Sequence, residues 1–278
     1  MAEPQPTEAS VFLYDKNVPG STVDDDFRPW LEPYLLETDV PRGAVLVCPG
    51  GAYTHRARHE AAPVARRFNT AGFHAFIVEY RVSPHRYPAA LMDISRAIRI
   101  VRSRADAWRV LPDKLAVGGF SAGGHLAGCA GTLYDNGDAD AGDDLDRFSN
   151  RPDALILCYA ALTFGEHYHG SSPQRLLGED ASEEEILSIS PRHHVTGNTP
   201  PAFLWHTVED KSVSVMQSLL FAQALQEHGV PFEMHIFPEG RHGLGLADEG
   251  ERHVPGVDAW PDLCCTWLTR MGWKGNPT

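Results

Sequence analysis

The stretch Val117-Gly118-Gly119-Phe120-Ser121-Ala122-Gly123-Gly124 decides how this chain is read. The apolar run before it, residues 114–120, reads as a short strand. The alanine- and glycine-rich run after it, residues 122–132, reads as a helix. Gly119-x-Ser121-x-Gly123 therefore sets a serine on a sharp strand-to-helix turn. Such a turn needs a strained serine backbone and small neighbours, lifts the hydroxyl above the sheet, and points a helix N-terminus at any anion formed beside it. By itself the pattern is weak, since plain glycine turns match it too. Its weight comes from what surrounds it.

Outward from the serine, apolar runs alternate with amphipathic ones. Strands are expected at 11–14, 34–36, 44–48, 74–80, 114–120, 153–160, 201–206 and 231–237. The run Ala44-Val45-Leu46-Val47-Cys48 is continuously apolar, as suits a strand buried on both faces. Helices are expected over 59–70, through Ile94, Ala97, Ile98 and Val101 at i, i+3, i+4, i+7, and over 122–132 and 257–271. Another is expected with Val213, Met216, Leu220 and Ala224 on its buried face. This alternation predicts an α/β fold: a mostly parallel eight-stranded sheet with helices on both faces. No repeat or interdomain linker interrupts it, so residues 1–278 read as a single domain. Residues 162–200 read as a small lid-like insertion over the carboxyl edge of the sheet, holding one short helix with a capping box, Ser182-x-x-Glu185.

The bulk numbers narrow the partners. With 24 Lys and Arg against 37 Asp and Glu, the net charge is −13. An acidic surface repels phosphate backbones, so no nucleic acid is expected. No apolar run approaches a membrane span, so no membrane partner is expected either. Five cysteines (Cys48, Cys129, Cys158, Cys264, Cys265) have no framework spacing and read as buried free thiols in a reducing compartment. Met1-Ala2-Glu3-Pro4-Gln5-Pro6 has no leader pattern, so a cytoplasmic location is expected, with a trimmed leader left open. Nothing in the sequence speaks to oligomeric state.

Acyl transfer to a serine needs a base, an acid that orients the base, and an oxyanion hole. In an α/β-hydrolase arrangement the order is Ser, acid, His, each just past the carboxyl end of a strand. Ser121 meets this. His242, in Pro238-Glu239-Gly240-Arg241-His242-Gly243, follows the last strand. Between them, in Trp205-His206-Thr207-Val208-Glu209-Asp210, either Asp210 or Glu209 could be the acid. Oxyanion donors are expected from the N–H groups of Ala122, just after the serine, and of Gly51 and Ala52 in the loop after residues 44–48. His206 precedes the acid and reads as structural. His125 reads as a packed helix residue.

Four segments together resemble the α/β-hydrolase esterases of the acetylxylan and feruloyl esterase group, relatives of the hormone-sensitive-lipase type. These are Cys48-Pro49-Gly50-Gly51-Ala52-Tyr53, Gly119-Phe120-Ser121-Ala122-Gly123-Gly124-His125-Leu126-Ala127, Pro200-Pro201-Ala202-Phe203-Leu204-Trp205-His206 and His235-Ile236-Phe237-Pro238-Glu239-Gly240-Arg241-His242-Gly243. The resemblance extends over about residues 11–271. It implies the α/β-hydrolase fold, Asp210 as the acid, no cofactor, and a short acyl ester of a carbohydrate as substrate, acetyl or feruloyl. Two departures stand out. Ala52 replaces a third glycine, and Pro49 stands where lipase-type relatives have histidine. Both argue against lipid-like substrates, as does the insertion, whose Glu166, Glu179, Asp180 and Glu183 to Glu185 make no apolar lid.

Tyr53, Phe164 and Tyr168 are candidate walls of the acyl or sugar pocket, and each suits the core equally well. No metal is expected. His59-Glu60 would need a histidine at position 63, where Pro63 stands. His167-Tyr168-His169 and His193-His194 lack a carboxylate at diagnostic spacing. A calcium loop from Asp138 fails at Gly142. The expected partner is a small-molecule or oligosaccharide ester. An amide or formamide hydrolase of the same fold, or a binding module that has lost catalysis, are the competing readings.

Overall fold

The computed structural model of the chain describes residues 5–15, 17–21, 26–165, 167, 168 and 170–275. Met1 to Pro4, Glu166 and His169 lie outside the described residues. The apolar runs form the middle of the sheet. β3 (Arg42–Cys48), β4 (His74–Glu79), β6 (Ala154–Cys158), β7 (Ala202–Thr207) and the second half of β5 (Val110–Phe120) are buried almost throughout. Parallel strands covered on both faces require this. With β1 (Val11–Phe12), β2 (Trp30–Tyr34) and β8 (Phe232–Phe237) they make one eight-stranded sheet, ordered β1-β2-β4-β3-β5-β6-β7-β8. β2 alone runs against the others. The mostly parallel eight-stranded α/β sheet expected from the sequence is the one found.

Helices cover both faces. On one side α2 (Ala89–Ser103), α4 (Ala122–Thr132) and α7 (Met216–Glu227) pack Ile94, Leu126 and Phe221 over Leu46, Leu157 and Leu204. On the other, α1 (Ala62–Thr70) and α8 (Trp260–Arg270) pack Val64, Phe68 and Leu268 over Val45, Val47 and Ile156. The short α3 (Ala105–Trp108) links α2 to β5. None of the described helices is long and apolar enough to cross a membrane.

Three elements differ from expectation. The second strand lies at Trp30–Tyr34, upstream of 34–36, because Trp30 and Leu31 are the residues that pair with both neighbours. Past Tyr34 the chain leaves the sheet, and Leu35 is 39% exposed. On α7, Ala224 is buried as expected and so is Val213 just before the helix, but Met216 and Leu220 are only half-buried, and the buried face is completed by Gln217, Ser218, Phe221, Ala222 and Leu225. Two polar residues hide it from a hydrophobic pattern, and both are bonded. Gln217 Oε1 accepts the N–H groups of Leu162 and Thr163 at 2.9 and 2.7 Å, and Ser218 Oγ meets His206 Nδ1 at 2.8 Å. Segment 162–200 carries two short helices rather than one: α5 (Ser172–Leu177), and α6 (Glu183–Ser188) with its Ser182–Glu185 capping box formed.

After β4 the chain is fixed by a buried ion pair. Arg81 and Asp93 have side chains with no exposure, and Arg81 Nη2 lies 2.7 Å from Asp93 Oδ1. The guanidinium also donates to the carbonyls of Pro19 and Ala89. Burial pushes the Asp93 carboxyl up, against the lowering effect of Arg81. Asp93→Ala would strand a buried cation, and its expected cost is about 3–5 kcal/mol in urea unfolding. Removing Asp262, which pairs with Arg67 while 76% exposed, is expected to cost at most about 1 kcal/mol. Equal effects would contradict this assignment.

Candidate active site

Ser121 sits between β5 and α4 with φ 53° and ψ −117°, a conformation L-residues rarely adopt. Backbone packing enforces it. A Cβ on Gly119 would lie 2.0 Å from the Gly123 carbonyl oxygen, and one on Gly123 would lie 2.1 Å from that of Cys48. Only glycine lets β5, α4 and the end of β3 approach so closely. The Ser121 N–H donates to the Cys158 carbonyl at 3.0 Å, which ties the turn to β6.

The neighbouring strands deliver the partners. His242 Nε2 lies 2.8 Å from Ser121 Oγ, and His242 Nδ1 lies 2.6 Å from Asp210 Oδ2. Asp210 Oδ1 accepts the N–H groups of Ser212 and Val213, both at 2.9 Å. His206, fully buried, brings Nε2 to 3.4 Å from Asp210 Oδ2 and to 2.9 Å from the Val213 carbonyl. Burial raises the Asp210 carboxyl, but the bonds from His206 and His242, the His242 charge and the Val213 N–H outweigh it. They hold the carboxyl well below the usual carboxylate range. Glu209 is exposed and points elsewhere, accepting the Gly240 N–H at 3.2 Å. The structure thus brings Ser121, His242 and Asp210 into one chain of hydrogen bonds and leaves Glu209 outside it.

The loop after β3 packs against the serine. A Cβ on Gly50 would lie 3.1 Å from Ser121 Cβ. Gly51 and Ala52 have φ of 125° and 51°. The Gly51 carbonyl accepts the Thr54 N–H and hydroxyl at 2.9 and 2.8 Å. The Ala52 carbonyl accepts Arg175 Nη1 at 2.9 Å. Among the described residues, no acceptor takes the N–H groups of Gly51 and Ala52. Ala122 opens α4, where a first-turn N–H has no intrahelical partner.

Tyr53 and Phe164 are buried, and both turn onto His125. Tyr53 Oη lies 2.7 Å from His125 Nδ1, and the Phe164 ring stacks on the imidazole at 4.5 Å. His125 Nε2 donates to the Ile189 carbonyl at 2.7 Å, and burial lowers the imidazole to about 4, so it is neutral. Tyr53 and Phe164 are therefore core residues behind the site. Tyr168, half-buried beside Phe164, is the member of the trio with surface to offer. Among the described residues, no group of three or more His, Cys, Asp or Glu is placed to hold a metal ion.

Sequence reasoning missed the contacts that four residues make with this assembly. Arg175 and His206 are two of them. Glu60 and Tyr159 are the others, with the Tyr159 ring edge-on to His242 at 5.0 Å between centroids. Arg175, Glu60 and Tyr159 meet partners far along the chain, whereas His206 lies only four positions before Asp210.

The BD-FAE family profile matches residues 34–225, which include Ser121 and Asp210, with His242 beyond its end. The chain is 39% identical over 229 residues to endo-1,4-beta-xylanase B of Butyrivibrio fibrisolvens, covering 80% of this chain and 36% of that protein. It is 28% identical to an acetylxylan esterase of Xylanibacter ruminicola, covering 81% and 45%. The chain thus spans less than half the length of these two curated relatives. Among solved structures, an acetyl ester-xyloside bifunctional hydrolase from Caldicellulosiruptor lactoaceticus superposes with a TM-score of 0.93 at 43% identity, covering 97% of this chain and 98% of that one. The carboxylesterase Cest-2923 from Lactobacillus plantarum superposes at 0.74 with 27% identity, covering 92% and 97%.

The short Nδ1–Asp210 bond has a spectroscopic signature independent of turnover. A strongly downfield imidazole N–H proton resonance is expected in wild type and in Glu209→Gln. It should vanish in Asp210→Asn. Survival in Asp210→Asn with loss in Glu209→Gln would hand the bond to Glu209.

Proposed function

The chain belongs to the BD-FAE family of α/β-hydrolase esterases, and from that premise we propose that it is a serine carboxylic-ester hydrolase. Its substrates are short acyl esters of carbohydrates, acetyl before feruloyl. The observation that carries this reading is the bond chain from Ser121 through His242 to Asp210, beside a glycine loop with unspent N–H groups. Ser121 Oγ attacks the ester carbonyl while His242 Nε2 takes its proton. Asp210 keeps the Nδ1–H tautomer and stabilises the imidazolium. The N–H groups of Ala122, Gly51 and Ala52 receive the oxyanion, helped by the N-terminus of α4. His242 then passes its proton to the leaving alcohol. Water, activated by the same imidazole, releases the acyl group. The chain's own residues supply every one of these roles.

Short acyl groups are favoured by the Ala52 methyl, set on a strained loop beside the serine, and by the insertion. Segment 162–200 is pinned rather than hinged, through Arg175 to Ala52, Ile189 to His125, and Leu162 and Thr163 to Gln217. Its described acidic residues give no broad apolar face. Relatives named acetylxylan esterase and acetyl ester-xyloside hydrolase support a carbohydrate as the alcohol. Five buried free thiols support a reducing compartment, the cytoplasm. We read residues 1–278 as one domain of this kind.

Ser121→Ala is expected to lose about four orders of magnitude or more in turnover while folding normally. A fluorophosphonate should label wild type at Ser121; an unlabelled serine would mark a binding module instead. On acidification log kcat/KM should fall with a slope of one. Asp210, held well below the usual carboxylate range, is expected to stay ionised and to add no second proton; a slope of two would bring Asp210 into the range. With p-nitrophenyl acetate, butyrate and octanoate, kcat/KM for acetate should exceed octanoate by at least about tenfold. A maximum at octanoate would sink the short-acyl assignment and leave the serine mechanism standing.

A further inference from the structure

His59-Glu60, which fails as a metal motif, forms the centre of a buried polar cluster beneath the serine. Glu60 ends a single helical turn, Arg58–Glu60, and is 2% exposed. Its Oε2 accepts the Gly50 N–H at 2.7 Å, and its Oε1 accepts the Tyr159 hydroxyl at 2.6 Å. The Tyr159 oxygen in turn accepts the Gly245 N–H at 2.8 Å. His59 Nε2 lies 3.0 Å from the Gly243 carbonyl and 3.5 Å from Glu60 Oε1. Trp260 Nε1 donates to the Gly245 carbonyl at 3.0 Å.

The two ends of this cluster are the two loops that must be held in register with Ser121. Gly50 begins the loop that carries Gly51 and Ala52, and it packs on the serine. Gly243 and Gly245 follow His242 directly. The loops lie far apart along the chain, and Glu60 with Tyr159 joins them.

The donor and acceptor roles leave no freedom. A backbone N–H only donates, so Gly50 needs an acceptor. The Gly245 N–H occupies the Tyr159 oxygen as acceptor, so the phenol donates. Both Glu60 oxygens therefore face donors, and only a carboxylate offers two acceptors there. An amide would set its NH2 against one of them. Burial first, and then the Glu60 charge, push the Tyr159 phenol well above its ordinary value, which keeps its proton in place.

We propose that Glu60 and Tyr159 are a coupled pair of positioning residues that set the oxyanion loop and the His242 loop in register with Ser121. This rests on the esterase reading above. The pair touches no substrate. It acts through Gly50 on the oxyanion donors, and through Gly245 and the Tyr159 ring on His242.

The test uses Glu60→Gln, Tyr159→Phe and the double variant, with p-nitrophenyl acetate as substrate and rates normalised by active-site titration. Glu60→Gln is expected to lower kcat by about 30- to 100-fold, the scale of a misplacement of roughly 1 Å. KM should stay within about threefold, because ground-state contacts are spared. Tyr159→Phe should lower kcat at least about tenfold, and the double variant should be no worse than Glu60→Gln within about threefold, as members of one unit are not additive. Affinity for a phenylboronic acid, which adopts the tetrahedral anionic form on the serine, should fall in parallel with kcat. A structural role alone would lower the melting temperature and leave kcat per titrated site unchanged. That result, a loss carried by KM, or full additivity overturns the proposal. If Glu60→Gln yields no folded protein, Tyr159→Phe decides alone by the same kcat criterion. Absence of wild-type turnover would instead strike the esterase reading itself.

Discussion

The close approach of three backbones at Ser121 is the constraint on which the rest of the structure depends. β5 cannot turn into α4 at φ 53° unless Gly119 and Gly123 lack side chains, since their Cβ positions are already filled by carbonyl groups. The contact of Gly123 with Cys48 brings the end of β3 against the same turn. Because β3 and β5 are sheet neighbours, with Cys48 beside Gly119, the loop after β3 arrives next to the serine without further instruction. β6 lies on the other side and takes the Ser121 N–H. Parallel order then places the ends of β7 and β8, and so Asp210 and His242, on the same edge.

Electrostatic matching holds what topology brings together. Two buried carboxylates stand close to the serine, and each is surrounded by donors. Asp210 faces two backbone N–H groups and two imidazoles; Glu60 faces a backbone N–H and a phenol. Leaving any of these unbonded would cost about 1–3 kcal/mol or more, the price of a buried group without its partner. His125 shows the same economy in reverse. Kept neutral by burial, it uses one nitrogen to accept from Tyr53 and the other to donate to Ile189.

Much of this was legible in residue order. The five strands β3 to β7 appeared as apolar runs because parallel strands are buried on both faces, and the serine turn appeared because glycine is the only residue its packing allows. Much of what stayed hidden involves polar residues with buried partners. Gln217 and Ser218 are buried on α7 but fall outside its apolar pattern. Tyr53 and Phe164 read as candidate pocket walls because aromatic character does not distinguish a pocket from a core. Glu60, Tyr159 and Arg175 gained meaning only through partners brought near by folding. Pattern reading sees spacing along the chain, and Glu60 lies 99 positions from its phenol.

The insertion illustrates how such hidden contacts bear on chemistry. Taken as sequence, 162–200 is a polar excursion over the sheet edge. In the structure it is fastened to the catalytic floor. Arg175 reaches down to the Ala52 carbonyl, and Tyr87 donates its N–H to the Leu176 carbonyl at 2.8 Å. Under the esterase reading, donors on the loop's carbonyls bear on its N–H groups. A cation on the Ala52 carbonyl polarises the peptide that continues into Tyr53. The donors on the Gly51 carbonyl do the same for the peptide whose N–H belongs to Ala52. Hydrogen bonds linked through a peptide strengthen one another. The Gly51 and Ala52 carbonyls are thus engaged by donors from within the loop and from the insertion, while the N–H groups of the same two residues are left for an anion. A loop held in that sense before substrate arrives has little reorganisation left to do when negative charge develops beside Ser121.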